Sequence, residues 1–218
     1  MIEAKDSPID APFESVVPIV FDAGQLDAID REISEVFDPS HIITPDEVRG
    51  GSPTLQMAIE EKGWPTLGET RGRVLFLLDN GGRIKEEYVR DHPSLRGRTL
   101  FVSAGPGEDE AAFVKLNNPI SAFDEIQGLV SAGFLVRTRA DADTEQARSG
   151  DTAQRDAALA SGAQFVSTDY PVADPTFGTG YAVSIPGGTP ARCNPVNSPA
   201  GCRSPDIENG LPGHAPAG

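Results

Sequence analysis

Arg137 and Arg139 stand two residues apart in GFLVRTRADADT at 133–144, with Asp141 and Asp143 just beyond. The run begins apolar and then alternates, as a buried strand does near its end, and residues i and i+2 of a strand share a face. Two guanidinium forks on one face match the geometry of phosphate oxygens. Glu3 and Lys5, in MIEAK at 1–5, repeat the i, i+2 arrangement with a carboxylate and an ammonium. Carboxylates and cations together suit a phosphate ester bound with a hard divalent ion. Ca²⁺ takes oxygen ligands and polarises a phosphoryl oxygen, while Lys and Arg neutralise the remaining charge. Spacing alone also allows a structural role: the arginines pairing with Asp141 or Asp169 at a rim, and Glu3 with Lys5 as an ordinary strand pair.

The elements that must position these groups read as five buried parallel strands: MIEAK (1–5), VLFLLD (74–79), TLFVSAG (99–105), FLVRTRA (134–140) and QFVSTDY (164–170). Each is a short, nearly continuous apolar run with a polar end, the pattern of strands covered on both faces. Helical patterns lie between them. Asp22 caps a helix through Leu26, Ile29, Ile33 and Phe37, Thr44 and Glu47 form a capping box, and Ser52 opens TLQMAIEEKG. EDEAAFVKL, SAFDEIQGLVSAG and GDTAQRDAALASGAQ read as helices too, the last two closing on glycine before a strand. This alternation predicts an α/β fold with a parallel sheet. In α/β barrels the functional groups sit at the C-terminal strand ends. Those ends carry Glu3 and Lys5, Asp79 and Asn80, Ser103, then Arg137, Arg139 and Asp141, then Thr168 and Asp169.

Other features exclude more than they assign. GPGED at 105–109 lacks a following GK[ST] and is no P-loop. His41, His92 and His214 show no metal-ligand spacing, and no general base is visible. A net charge of −15 with 18 scattered Lys and Arg argues against nucleic acid. No apolar run approaches the roughly 18 residues of a membrane span. The sequence opens on MIEAKD, with neither a basic nor an apolar leader pattern, so no signal peptide is expected in it. Cys193 and Cys202 lie in the Pro/Gly-rich RCNPVNSPAGC, where a short bridge suits an oxidising compartment and two unpaired thiols are the alternative. YAVSI and PARC around PGG predict a β-hairpin, and RSPDIENGLPGHAPAG a disordered tail.

MIEAKD, DPSHIITPDEVRG, GWPTLGETRGRVLFLLDN, HPSLRGRTLFVSAGPG, the LVRTRADAD to STDYP block and GYAVSIPGGTPARCNPVNSPAGC together resemble the bacterial calcium-dependent phosphoinositide phospholipase C family, within the PLC-like phosphodiesterase superfamily. The resemblance spans residues 1–202 and implies a TIM-type (β/α)8 barrel. In this family calcium and two histidines cleave a phosphodiester, with the inositol 2-hydroxyl as internal nucleophile. MIEAKD matches the fourth barrel strand, so strands four to eight are expected over 1–178, a hairpin and cysteine loop over 179–202, and a tail over 203–218. Carried over position by position, Glu3 matches the acidic metal ligand, Lys5 faces the phosphate, and Arg137 and Arg139 match the late-strand arginines. No residue matches the catalytic histidines. The family implies calcium as cofactor, a phosphoinositide as substrate, a membrane surface met only through that substrate, and a secreted or periplasmic location. The expectation is a phosphodiesterase inactive as this chain alone, self-associating through open sheet edges. The alternatives are a glycerophosphodiester phosphodiesterase and a non-catalytic anion-binding barrel remnant.

Overall fold

A computed structural model describes residues 1–8 and 16–209. The chain forms two compact units, Met1–Val114 and Lys115–Gly218, dividing inside the stretch that the sequence assigns to one barrel portion.

The first unit opens on residues 1–5, which make a single parallel bridge, Ile2 to Leu78, rather than the expected full strand. Ala4 is then held by Asn80, which accepts its N–H at 2.8 Å and donates to its carbonyl at 2.9 Å. Asn80 thus substitutes side-chain hydrogen bonds for the ladder that MIEAK does not continue. Helix α1 (Ala23–Val36) starts where expected, with a full Asp22–Gln25 capping box, and buries Leu26 and Ile33. Strand β1 (Ile42–Ile43) follows, and the sequence offered only two β-branched residues to signal it. Helix α2 (Pro45–Arg49) is capped by Thr44, but Glu47 turns away from the cap to pair with Arg73. Helix α3 (Leu55–Lys62) is capped by Thr54, not Ser52, because Ser52 accepts from the Lys62 ammonium instead. Helix α4 (Leu67–Thr70) precedes β2 (Val74–Leu75) and β3 (Leu77–Leu78). VLFLLD is therefore two short strands: β2 pairs with β1, and β3 with β4 (Phe101–Val102), all in parallel, with α5 (Gly82–Val89) between β3 and β4. The expected helix over EDEAAFVKL is instead β5 (Phe113–Lys115). Ala111 to Val114 are all buried, and that continuous burial fits a strand covered on both faces.

A buried guanidinium organises this unit. Arg98, 5% exposed, donates to the Tyr88 carbonyl at 2.7 Å and to Asp27 and Asp30 at 2.5 and 3.1 Å. The Tyr88 hydroxyl donates to Asp30 and accepts from Leu100 N–H. Burial, reinforced by the Asp30 charge, pushes the Tyr88 phenol far up. The network joins α1, α5 and the entry to β4, and it leaves this cation enclosed by its own acids.

In the second unit, α6 (Phe123–Ser131) buries Ile126, Leu129 and Val130 and ends before Gly133, at φ 94°, which turns the chain into β6 (Leu135–Arg139). Two further helices, α7 (Glu145–Ser149) and α8 (Ala153–Ala160), return the chain to β7 (Phe165–Ser167). β6 and β7 pair in parallel, Arg137 opposite Phe165 and Arg139 opposite Ser167. Gln164 fixes this register by accepting Val136 N–H at 2.8 Å and donating to the Phe134 carbonyl at 3.3 Å. Beyond the sheet, Ala140, Ala147, Ala158, Tyr170, Tyr181 and Val183 form one buried cluster.

Two expectations near the C-terminus change. Residues 181–192 contain a turn, closed by Gly188 N–H to the Ile185 carbonyl at 2.9 Å, but no strands, so the predicted hairpin is absent from them. Val183 N–H instead bonds the Tyr170 carbonyl at 2.9 Å, and Arg155 donates to the Ala182 carbonyl at 3.1 Å, so this segment packs against the unit rather than against itself. The expected disordered tail instead forms α9 (Ser204–Asn209), and its remainder over 210–218, including His214, lies outside the described residues. Cys193 and Cys202 are joined in a disulfide, Cα to Cα 6.0 Å. Among the described residues, no helix is long and apolar enough to cross a membrane.

Candidate functional site

The C-terminal ends of β6 and β7 enclose a polar cavity of about 190 Å³. β6 and its extension contribute Arg137, Arg139 and Asp141, followed by Ala142 and Asp143; β7 contributes Ser167, and Thr168 and Asp169 follow it. The i, i+2, i+4 spacing of Arg137, Arg139 and Asp141 is why one strand delivers three charged groups to one place. The parallel register sets Ser167 beside Arg139. At this volume the cavity falls below the roughly 300–1,000 Å³ of sites for drug-sized ligands, and it suits a small polar group rather than a lipid tail.

Its floor is rigid. Arg137, 6% exposed, donates from Nη1 to Asn117 Oδ1 at 2.6 Å, and its carbonyl accepts Leu116 N–H at 2.9 Å. Arg139 is half-buried and lines the cavity; among the described residues no carboxylate lies within ion-pair distance of its guanidinium. The pairing with Asp141 or Asp169 that spacing allowed does not form at Arg139. Asp141, 4% exposed, is engaged elsewhere: it accepts the Thr168 hydroxyl and, at 2.9 Å, the Asp169 N–H. The Tyr181 hydroxyl donates to the Ala140 carbonyl at 3.0 Å and lies 3.4 Å from Asp141 Oδ2. Burial, and after it the Asp141 charge, pushes the Tyr181 phenol up to about 12, so it is a neutral donor at ordinary pH. Asp143, at φ 53°, and Asp169 are exposed at the mouth.

Glu3 and Lys5 do not line this cavity. They belong to the first unit, where the ammonium sits 3.4 Å from the carboxylate with side chains 77% and 52% exposed for Lys5 and Glu3. An exposed pair of this kind contributes little to stability. Calcium needs six to eight oxygen ligands. Among the described residues no group of three or more His, Cys, Asp or Glu is arranged to hold a metal ion, and the one carboxylate the sequence singled out already faces a cation. The residues described do not fit a calcium cage. Of the histidines, His41 ends a 3₁₀ turn and His92 bonds the Arg96 carbonyl at 2.7 Å; both belong to the first unit and neither lines the cavity.

Thr168 and Asp169 were visible as polar strand ends, and Asp143 as a carboxylate just beyond the arginines. Ser167 and the supporting Tyr181 were not singled out. Tyr181 comes from a segment that the sequence assigned to a hairpin, and only a search for the donor to Asp141 would have found it.

Comparison with known proteins adds the family. The sequence model described as "Phosphoinositide phospholipase C, Ca2+-dependent" matches residues 1–195. No curated protein matches the chain. Among solved structures, a Ca²⁺-dependent phosphatidylinositol-specific phospholipase C from Streptomyces antibioticus is similar at 16% identity and a TM-score of 0.47. The match covers 65% of this chain and 57% of that one, so the chain spans somewhat over half of the solved relative's length. With a family match over most of its length, the chain belongs to the Ca²⁺-dependent phosphoinositide phospholipase C family.

Proposed function

We propose that this chain serves a phosphodiesterase of the phosphoinositide phospholipase C type by recognising the headgroup, with Arg137 and Arg139 holding the phosphate. The observation that carries this reading is that Arg137 and Arg139 both line a small polar cavity at the strand ends. Arg139 lines this cavity, among the described residues it is in no ion pair, and a guanidinium fork binds two phosphate oxygens at once. Asp143 and Asp169 at the mouth are acceptors suited to ring hydroxyls, so the lining suits a polyol phosphate. Among the described residues no histidine lines the cavity, and of its three aspartates Asp141 is already engaged by Thr168 and the Asp169 N–H, so binding is the step this geometry supports best. TIM-type barrel closure stays part of the proposal: the described pairings are all parallel, in keeping with it, but lie in small separate sheets. The disulfide suits an oxidising, secreted or periplasmic setting.

A second reading, an anion-binding module without turnover, is favoured by the failure of the described residues to form a calcium cage. Two assays separate the readings. In calorimetry, D-myo-inositol 1-phosphate is expected to bind more tightly than glycerol 3-phosphate; the reverse order would point to a glycerophosphodiester enzyme. With phosphatidylinositol vesicles, no soluble inositol phosphate is expected from the chain alone, with or without added calcium. Calcium-dependent release would overturn the binding-only reading and leave the family reading standing.

A further inference from the structure

One lining residue of the cavity, Asp141, has both carboxylate oxygens engaged within the chain. Asp141 is 4% exposed, yet its two carboxylate oxygens connect three parts of the chain. Oδ2 accepts the Thr168 hydroxyl and Oδ1 accepts the Asp169 backbone N–H, which joins the end of β6 to the end of β7. Tyr181, 3% exposed, brings in the segment after β7, donating to the Ala140 carbonyl beside that carboxylate. Thr168 passes the connection on by accepting Tyr170 N–H at 2.9 Å. Tyr170 and Tyr181 then meet edge-on at 5.9 Å between ring centres. A buried carboxylate that accepts several donors is strongly held, and losing it leaves each donor unsatisfied.

We propose that Asp141 is the positioning residue of the headgroup site, which fixes the Thr168–Asp169 rim opposite Arg139 and so sets the width of the phosphate and polyol pocket. This inference rests on the headgroup reading above. Although Asp141 borders the cavity, it acts through the rim, because both of its carboxylate oxygens are already taken up by the Thr168 hydroxyl and the Asp169 N–H. Thr168 is its lever: one hydroxyl donates to Asp141 while accepting from the next turn, which stops the rim from opening.

The test measures affinity for D-myo-inositol 1-phosphate by calorimetry at 25 °C, on variants shown to be folded by circular dichroism. Asp141→Ala and Thr168→Val are each expected to weaken binding about tenfold, a change of about 1.4 kcal/mol. Asp141→Asn keeps a carbonyl for the Asp169 N–H, and the Thr168 hydroxyl can turn to accept from the amide. It is expected to bind within about threefold of the wild type, roughly 0.7 kcal/mol. If Asp141→Ala does not fold, Thr168→Val and Asp141→Asn still decide. Wild-type affinity in folded Thr168→Val, or loss in Asp141→Asn as large as in the alanine variant, overturns the positioning role. Failure of the wild type to bind removes the headgroup reading itself and this inference with it, an outcome distinct from unchanged affinity in the variants.

Discussion

Single groups here are specified by what surrounds them more than by their place in the sequence. Arg98 and Arg139 illustrate the difference. Arg98 is enclosed by Asp27 and Asp30 and serves the core, whereas Arg139 keeps its guanidinium on a cavity wall. Both are arginines near a strand, and only partner geometry tells them apart. Tyr181 supplies a pH prediction at the same scale. Its phenol is raised from 10.0 to about 12 in the folded chain, first by burial and then by Asp141. A raised value means the folded state favours the protonated form, so this contribution is complete below pH 10 and is lost between 10 and 12. Thermal melts from pH 8 to 11.5 should therefore fall more steeply for the wild type than for Tyr181→Phe. Parallel curves would contradict the assigned environment.

At the scale of elements, local chemistry explains most of what was legible. The Asp22–Gln25 box, the helix over SAFDEIQGLVSAG with its closing Gly133, and the strand over FLVRTRA all form where propensity and capping place them. EDEAAFVKL misled because its acidic start imitates a helix N-terminus, while the buried run from Ala111 to Val114 is decided by coverage on both faces, which a single sequence does not show. Likewise, the two arginines and the rim residues were legible as strand ends, but Tyr181 was not, since its role comes from a contact 40 residues away in sequence. One turn tests how tightly these pieces fit. Gly162, at φ 86°, joins α8 to β7, and a Cβ there would stand 2.4 Å from Val196 of the cysteine loop. Asn194 also donates to the Gly162 carbonyl at 2.7 Å. Gly162→Ala should cost about 1–3 kcal/mol from backbone conformation and crowding together. Denaturant unfolding measures this directly, and a loss below about 0.5 kcal/mol would show that the loop yields freely.

For the whole chain, charge sets the terms of any encounter with the proposed phosphoinositide. A net charge of −15 opposes approach to an anionic phosphatidylinositol surface, so attraction must come from a local site against an unfavourable long-range field. Screening shortens that field from about 30 Å at 0.01 M salt to about 8 Å at 0.15 M. Association with vesicles containing phosphatidylinositol should therefore speed up by about twofold or more over this range, the opposite of what a basic lipid-binding domain shows. Stopped-flow mixing at the two salt concentrations checks this, and a rate that falls with salt would point to a basic contact surface elsewhere on the chain.

Under the proposed function, Arg139 holds a headgroup phosphate in the cavity at the ends of β6 and β7. Calorimetric titration of D-myo-inositol 1-phosphate into the wild type and into Arg139→Gln tests it most directly. Gln keeps the length and polarity of the side chain near the wall but removes the charge and the fork. Saturable binding by the wild type, weakened at least about tenfold in Arg139→Gln with thermal stability unchanged, is the predicted result. Equal affinities in the two proteins would contradict it.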